Sequence, residues 1–469
     1  MFIFFPLFFL LYFCTPKALR NALVLVASLG FYLLGAGALT LVALILITFN
    51  WAWAFYIGQR RHAVSAGIAD EKMTKLILIA GIVVNLAPLV FYKYLGFLNK
   101  LLTDLFSMPS PLLSGEAGII LPLGISFYTF HFISYLVDVY AKRIHPESNL
   151  GKFVIYIFLF PHLVAGPIVR FAEIKAQLAL KRRALVESDV FWGLVLFTIG
   201  LSKKLLIADP LGEVVDTVHR HDVQLSTYSA WLAAFCYSFQ IYFDFSGYTD
   251  MAIGMARVMG FRFPRNFDRP YAASSITEFW RRWHMTLSRW FRDYLYIPLG
   301  GNRMSPFTTY RNLFIVFGLC GLWHGAAYTF LAWGLAHGFL LVMERARILR
   351  LDALPFGSVF VFIFVTMLWV PFRAEDLPTL NKFTNVMLGL DAGIPLWTEA
   401  NRMLADSKVI FLLALSAAVC LCGDRLFNRL RRFSFRNPVL TGTYCFVLYI
   451  LSCISVVERG FNPFIYFQF

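Results

Sequence analysis

One histidine lies at the centre of an apolar stretch, in the run GLWHGA at 321 to 326. An ionisable side chain is costly to bury in such a stretch and usually serves a function. A neutral imidazole, with an unperturbed pKa of about 6.5, can accept a proton from an attacking group. We therefore predict a functional role for His324. The alternative is a structural histidine that is hydrogen-bonded to a neighbouring helix.

A second histidine lies in an arginine-rich segment, 257 to 311, which carries ten arginines, no lysine and three acidic residues, a net +7 of the chain's +15. Arginine can hold a phosphate through two hydrogen bonds, which lysine cannot do. The spacing of Ser275 and Glu278 predicts a helix start with a capping box. From Trp280 onward the pattern predicts an amphipathic helix in the cytoplasmic interface. One face carries Trp280, Trp283, His284, Leu287, Phe291 and Tyr294, and Arg281, Arg282, Arg289 and Arg292 fall largely on the other.

The position of His284 on the apolar face indicates a functional imidazole, because burying an imidazole without a hydrogen-bond partner costs free energy. The alternative for the arginines and tryptophans is an interfacial belt that contacts lipid headgroups.

A third polar cluster, IYFDFSGYTD at 241 to 250, lies within another apolar stretch. Its carboxylates and hydroxyls are costly there unless they face a cavity. Asp244 or Asp250, with Ser246 between them, could orient a histidine or line a substrate path. Either aspartate could instead hold an arginine of the segment 257 to 311 in a structural pair, and the sequence leaves both interpretations open.

The remaining histidines and the cysteines give weaker signals. His337 and His131 fit packing positions, and the role of His162, beside Pro161, stays open. The seven cysteines lie mostly in apolar runs and lack the spacing of a zinc site, so we predict no bound metal.

The composition shows what kind of protein must position these residues. Of 469 residues, 59% are hydrophobic and 15% charged, against roughly 25% charged in an average soluble domain. The mean hydropathy is +0.66, which excludes a soluble enzyme and a disordered chain. The positive net charge is typical of cytoplasmic loops in a membrane protein, and we expect no nucleic-acid partner.

Apolar stretches long enough to cross a hydrocarbon core of about 30 Å predict an all-α, polytopic membrane protein with about ten spans. We place them at 2 to 14, 19 to 34, 39 to 57, 76 to 97, 118 to 140, 190 to 208, 229 to 256, 354 to 371, 409 to 423 and 438 to 457. No repeat or linker divides the chain, so we predict one membrane domain over 1 to 469.

Two further apolar stretches, 153 to 169 and 312 to 343, contain polar or helix-breaking centres and are flanked by basic residues at both ends. Basic loops belong on the cytoplasmic side, so each stretch should enter and leave there, as a re-entrant hairpin or a pair of half-helices. Non-helical backbone at that depth needs surrounding protein or a water-filled cavity. We therefore predict a central tunnel, with 312 to 343 as the catalytic element.

Two long motifs stand out in the second half of the chain, EFWRRWHMTLSRWFRDYLYIPLGGNR at 278 to 303 and GLWHGA at 321 to 326. Four further motifs lie at 121 to 140, 160 to 171, 242 to 254 and 461 to 469. With these motifs the chain resembles the membrane-bound O-acyltransferases, in particular their bacterial alginate O-acetyltransferase branch. No such motif is found at 76 to 117 or at 372 to 437.

The resemblance implies a catalytic pair, because the family's two histidines match His324 and His284. It implies transfer of acetyl from cytoplasmic acetyl-CoA, a substrate and not a bound cofactor, to hydroxyls of an exported polysaccharide such as alginate, cellulose or peptidoglycan. It further implies a multi-pass protein of the bacterial inner membrane, with periplasmic acetyltransferase or polysaccharide-secretion partner proteins.

On this basis we predict His324 as the general base, while His284 binds or polarises the thioester carbonyl or the attacking hydroxyl. Arg281, Arg282 and Trp283 are candidates for the donor side, and Trp323 for substrate binding. Direct transfer and a covalent acetyl-histidine remain open. The alternative functions are a multispan transporter and a scaffold of a polysaccharide secretion complex.

Overall fold

The structure, a computed structural model, describes residues 4–106, 120–179, 183–220, 225–391, 406–422 and 428–465, apart from 430, 431 and 435. Over these residues the chain is helical and contains no β-strand, which confirms the all-α prediction. Parts of the predicted loops and the last four residues of the motif at 461 to 469 lie outside the described residues. The described chain forms two compact units, 1–193 with 255–264, and 194–254 with 265–469. The prediction of one membrane domain therefore stays a prediction.

The first unit is built mainly from eight helices. They are α1 (Phe4–Cys14), α2 (Arg20–Ala36), α3 (Thr40–Ser65), α4 (Glu71–Leu89), α5 (Leu95–Phe106), α6 (Ile125–Tyr140), α7 (Leu150–Phe158) and α8 (Phe171–Leu178). A π-helical turn, Val90–Tyr94, joins α4 to α5. Helix α6 packs against α3 and α4, and α7 packs against α2 and α3.

The second unit holds most of α9 and α11 and all of the helices that follow them, and the unit boundaries fall inside these two helices. The helices are α9 (Glu187–Ser202), α10 (Asp209–His219), α11 (Thr227–Val258), α12 (Ile276–Arg282), α13 (Met285–Phe291), α14 (Pro306–His324), α15 (Tyr328–Arg345), α16 (Gly357–Arg373), α17 (Leu377–Met387), α18 (Ser407–Leu421) and α19 (Pro438–Arg459). A π-helical segment, Lys203–Ala208, joins α9 to α10, and another, Arg292–Tyr296, follows α13.

Each of the ten predicted spans overlaps a described helix, and the number of membrane crossings stays a prediction. Four helical stretches are long and apolar enough to cross a membrane, namely Lys17–Ser65, Glu71–Phe106, Glu187–His219 and Pro438–Arg459. Three shorter apolar helices, α1, α16 and α18, match further predicted spans. The described helices therefore support a membrane protein.

The stretch 153 to 169 contains the break that its Pro and Gly residues predict. Helix α7 ends at Phe158, and the backbone from 159 to 170 is not helical before α8 begins. Residues 159 to 169 are buried, and the Tyr156 hydroxyl donates to the carbonyl of Val169 at 3.1 Å. Surrounding protein thus covers this irregular backbone, as such backbone requires in a membrane.

The stretch 312 to 343 lies in a helical hairpin made of α14 and α15. The two helices have 19 and 18 residues, which corresponds to about 28 and 27 Å at 1.5 Å per residue. These helix lengths are close to the thickness of a hydrocarbon core and exceed those of half-helices. The break falls between them at 325 to 327, directly after the Trp323-His324 pair.

Candidate active site

His324 is the last residue of α14, and its position follows from how that helix begins and ends. Helix α14 starts at Pro306, where the Ser305 side chain accepts a hydrogen bond from the backbone N–H of Thr308. It stops before Gly325, where a Cβ atom would overlap the ring of Phe330. A larger residue at 325 would therefore have to displace the Phe330 ring of α15, and His324 ends α14 directly before this turn.

Aromatic side chains surround the His324 imidazole, which is 3% exposed. The ring centroids of Trp323, Trp333 and Phe372 lie 4.8, 5.1 and 5.2 Å from that of His324. This environment is apolar and excludes bulk water, so hydrogen bonds formed inside it are strong.

His284 lies at a break between two short helices. The predicted helix is not continuous, because α12 ends at Arg282 and α13 begins at Met285, with His284 between them at a φ of +39°. The predicted faces are nevertheless correct. Trp280, Trp283, His284, Leu287 and Phe291 are buried, whereas Arg281 and Arg292 are exposed. The left-handed backbone at His284 is what turns its side chain out of the helical register.

Asn266 fixes the tautomer of His284. The Asn266 Oδ1 atom accepts hydrogen bonds from the backbone N–H and the hydroxyl of Thr286 at 3.2 and 2.8 Å, so this atom is the amide oxygen. His284 Nδ1 lies 3.1 Å from the same oxygen and must donate a proton to it. In the neutral ring the lone pair is therefore on Nε2, which can accept a proton or a hydrogen bond.

Trp323 brings the two histidines together. Its ring centroid lies 4.8 Å from that of His324 and 6.2 Å from that of His284. The two imidazoles, forty residues apart in sequence, therefore share one indole inside the second unit.

A cavity of about 460 Å³, within the size range of small-molecule sites, lies between α12, α13 and α14 and is not lined by either histidine. Its polar lining includes Arg281, Arg289 and Arg292. Its apolar lining includes Trp280, Leu287, Phe291, Leu313, Val316, Phe317, Cys320 and Leu341. Cys320 is one helical turn before His324 on α14, so the inner wall of the cavity approaches the catalytic candidate.

Two of the three predicted donor-side residues do not line this cavity. The guanidinium of Arg282 pairs with Glu278 at 2.6 Å. Burial raises the pKa of Glu278, but hydrogen bonds from Ser274 and Arg282 outweigh burial and hold that pKa below its ordinary value. The Trp283 indole is 1% exposed and packs 5.0 Å from Trp369. Arg281 alone of the three lines the cavity, and a donor-side role for Arg282 and Trp283 stays a prediction.

Arg289 and Arg292 line the cavity, and neither was singled out as a ligand contact from the sequence. The amphipathic pattern placed both on the polar face. It could not show that α14 would close a cavity over that face.

Asp244 and Asp250 have partners that differ from the histidine and the arginine considered in the sequence analysis. The Asp244 carboxylate accepts from Lys204 Nζ at 2.7 Å and from the backbone N–H of Ile465 at 3.0 Å. Asp250 pairs with Lys203 at 2.6 Å. Ser246 is buried on α11 between them. Among the described residues the side-chain partners of both carboxylates are thus lysines of the π-helical segment, and an ion-pair role accounts for them. The sequence feature that could have indicated these ion pairs is the presence of Lys203 and Lys204 inside the predicted span 190 to 208.

Three further histidines, His131, His162 and His337, are buried. His337 accepts a hydrogen bond at Nδ1 from the Trp280 indole at 3.2 Å. In the first unit His131 and His162 pack against each other with ring centroids 5.1 Å apart. A packing role thus fits His131, with His162 against it, while His337 also accepts the Trp280 hydrogen bond.

Comparisons with known proteins identify the family of the chain. The model of the MBOAT, membrane-bound O-acyltransferase family matches residues 141–365. The chain is 38% identical to a probable alginate O-acetylase, AlgI, of Pseudomonas putida, over 100% of this chain and 98% of that protein. It is 43% identical to a probable AlgI of Pseudomonas aeruginosa, over 94% and 82%. It is 36% identical to the peptidoglycan O-acetyltransferase of Helicobacter pylori, over 83% and 79%. The chain therefore belongs to the membrane-bound O-acyltransferase family.

Proposed function

We propose that this acyltransferase moves acetyl from cytoplasmic acetyl-CoA across the inner membrane for O-acetylation of an exported polysaccharide. The observation that carries the proposal is the contact of both imidazoles with Trp323, on the helix whose Cys320 lines an arginine-containing cavity. The relatives named for acetylation of alginate and of peptidoglycan support acetyl as the acyl group and a polysaccharide as the acceptor.

The proposed reaction converts a thioester into an oxygen ester. The acceptor hydroxyl attacks the acetyl carbonyl carbon while His324 takes the hydroxyl proton. A carbon–oxygen bond forms, the carbon–sulfur bond breaks, and the proton passes from the imidazole to the departing CoA sulfur. His284 has its lone pair on Nε2, so its neutral ring is suited to accept a hydrogen bond from the attacking hydroxyl. Polarising the thioester carbonyl would need a proton on that atom.

The cavity provides the proposed donor site. Acetyl-CoA has phosphates at one end and an uncharged arm that carries the thioester at the other. Arg281, Arg289 and Arg292 are suited to the phosphates, because guanidinium groups bind them bidentately. The apolar lining is suited to the arm, which would bring the thioester along the Cys320 side of α14 toward His324.

The acceptor side is proposed from the relatives and the family resemblance. Alginate, cellulose and peptidoglycan are the candidate acceptors, reached with periplasmic acetyltransferase or secretion partner proteins. A tunnel through the membrane domain would connect the donor cavity to them. Asp244, Ser246 and Asp250 have no part in this proposal, since the two carboxylates are held by lysines.

The test replaces His324 with alanine and measures transfer of labelled acetyl from acetyl-CoA together with polysaccharide acetyl content in cells. We expect both to fall by about 10²- to 10⁴-fold, because general-base assistance is lost. The matched control is His219→Ala on α10, whose ring stacks on Phe383 and does not line the cavity. A folded His324→Ala protein with wild-type transfer rules out the proposed base. Passage of an intact solute without thioester turnover would establish a transporter instead.

A further inference from the structure

Two buried side chains of α15, Trp333 and His337, contact Trp280, which lines the cavity. The Trp280 indole lines the cavity and lies 5.8 Å from Trp333 and 5.0 Å from His337, measured between ring centroids. Trp333 in turn lies 5.1 Å from His324. Trp333 and His337 are four residues apart, so they share one face of α15, and both are 0% exposed.

The tautomer of His337 follows from its contact with Trp280. An indole N–H can only donate, so His337 Nδ1 accepts this hydrogen bond and carries no proton. The proton of the neutral ring must therefore be on Nε2. That atom is buried and has no hydrogen-bond partner among the described residues.

The indole nitrogen of Trp333 is in the same situation. It is buried and also lacks a partner within the described part of the chain. The two rings are 5.0 Å apart. Two buried N–H donors without acceptors in one aromatic cluster are unusual and costly, and such groups call for a specific explanation.

We propose that the Trp333 indole N–H and the His337 Nε2–H form a donor pair that receives the carbonyl oxygen of the acyl donor. This inference rests on the proposed function, because the thioester has to approach His324 and hence Trp333. As the acceptor oxygen bonds to the carbonyl carbon, the carbonyl π electrons move onto the carbonyl oxygen. The donor pair stabilises that negative charge until the carbon–sulfur bond breaks and the sulfur leaves with its electron pair.

Trp280 acts as a positioning residue in this arrangement. Its hydrogen bond holds the His337 ring in the tautomer that presents a proton on Nε2. It also keeps the His337 ring in place beside Trp333. Loss of this bond would allow the other tautomer, which presents a lone pair toward the carbonyl oxygen and repels it.

The experiment measures binding of two unreactive CoA analogues, a ketone in which a methylene separates sulfur from the acetyl group, and an S-alkyl thioether of similar length. Binding to purified protein is compared for wild type, Trp333→Phe and His337→Phe. Each variant removes one donor and keeps a ring. We expect each to weaken ketone binding about tenfold relative to the thioether, the effect of one lost hydrogen bond. His337→Gln, which restores an N–H at similar reach, should recover part of the difference.

The matched control is Trp369→Phe. Trp369 is buried 5.7 Å from Trp333, but its indole N–H already donates to the Tyr271 hydroxyl at 3.1 Å. Removing this indole N–H in Trp369→Phe should leave the ratio of ketone to thioether affinity unchanged. An unchanged ratio in both Trp333→Phe and His337→Phe overturns the donor pair while leaving the proposed function intact. Failure of the wild-type protein to bind either analogue overturns both.

Discussion

At the scale of single residues, the candidate site depends on which atoms carry protons. Asn266 makes Nε2 of His284 an acceptor, and Trp280 makes Nε2 of His337 a donor. The sequence identified His324 and His284 from their position in apolar runs. It could not assign these tautomers, because each is set by a partner from a different segment.

The arginines of the cavity lead to a prediction at the same scale. Replacing Arg281 or Arg289 with alanine should raise the KM for acetyl-CoA about tenfold, since a charge-assisted hydrogen bond to phosphate is lost. The change should shrink at high ionic strength because salt screens the attraction. Steady-state kinetics at two salt concentrations test this.

Arg303 offers the control for these substitutions. It is exposed in the same arginine-rich segment and is not part of the cavity lining. Arg303→Ala should keep the wild-type KM. If it raised KM as much as Arg281→Ala does, the effect would come from net charge and not from the cavity.

At the scale of elements, the sequence patterns predicted the buried face of a helix and its first residue well. They did not predict where a helix is interrupted. Ser275 caps α12 as expected, with its side chain accepting from the backbone N–H of Glu278. The Glu278 carboxylate, however, bonds Ser274 rather than completing the box on Ser275. The break at His284 was not predictable, because a left-handed residue within a helical pattern is stable only when tertiary contacts such as that with Asn266 hold it.

The turn of the α14 and α15 hairpin gives a prediction for an element. Gly325→Ala would place a methyl group in the ring of Phe330, and overpacking of this kind costs about 1–3 kcal/mol. We expect a lower thermal midpoint in detergent and reduced transfer, because His324 is adjacent to the displaced turn.

Gly318→Ala provides the comparison on the same helix. A Cβ atom there would meet Leu335 at 3.5 Å, an ordinary contact. This variant should melt close to wild type. A second change, Phe330→Leu, replaces the ring with a smaller side chain and should restore part of the stability lost in Gly325→Ala. If the double variant recovers no stability, the overlap with the ring is not the cause of the loss.

At the scale of the whole molecule, apolar stretches predicted the helices, while the alternatives left open for Asp244 and Asp250 did not include their lysine partners. The Lys204 ammonium bonds Asp209 and Asp244 at 2.7 Å each and the carbonyl of Pro463 at 3.1 Å. A sequence shows that two lysines lie in a span. It does not show that a π-helical segment turns them toward α11, because that irregularity arises from packing between helices.

This cluster yields a prediction for global stability. Asp244→Asn should destabilise the protein by about 3–5 kcal/mol, since it leaves Lys204 buried with less compensation. Lys204→Met combined with Asp244→Leu should be less harmful than Asp244→Asn alone. Unfolding midpoints in detergent provide the measurement. The control, Asp250→Asn, breaks a pair in which both side chains are over 20% exposed and should cost less. Equal losses would contradict a special role for burial.

The contact of Lys204 with Pro463 also bears on biogenesis. The lysine enters the membrane early, while the carbonyl that completes its set of hydrogen-bond acceptors is synthesised more than 250 residues later. Until the ribosome has passed that point, the nascent protein carries an incompletely solvated cation among its inserted helices. Translation that stops short of it would leave a recognisable defect, on which membrane quality-control proteases could act.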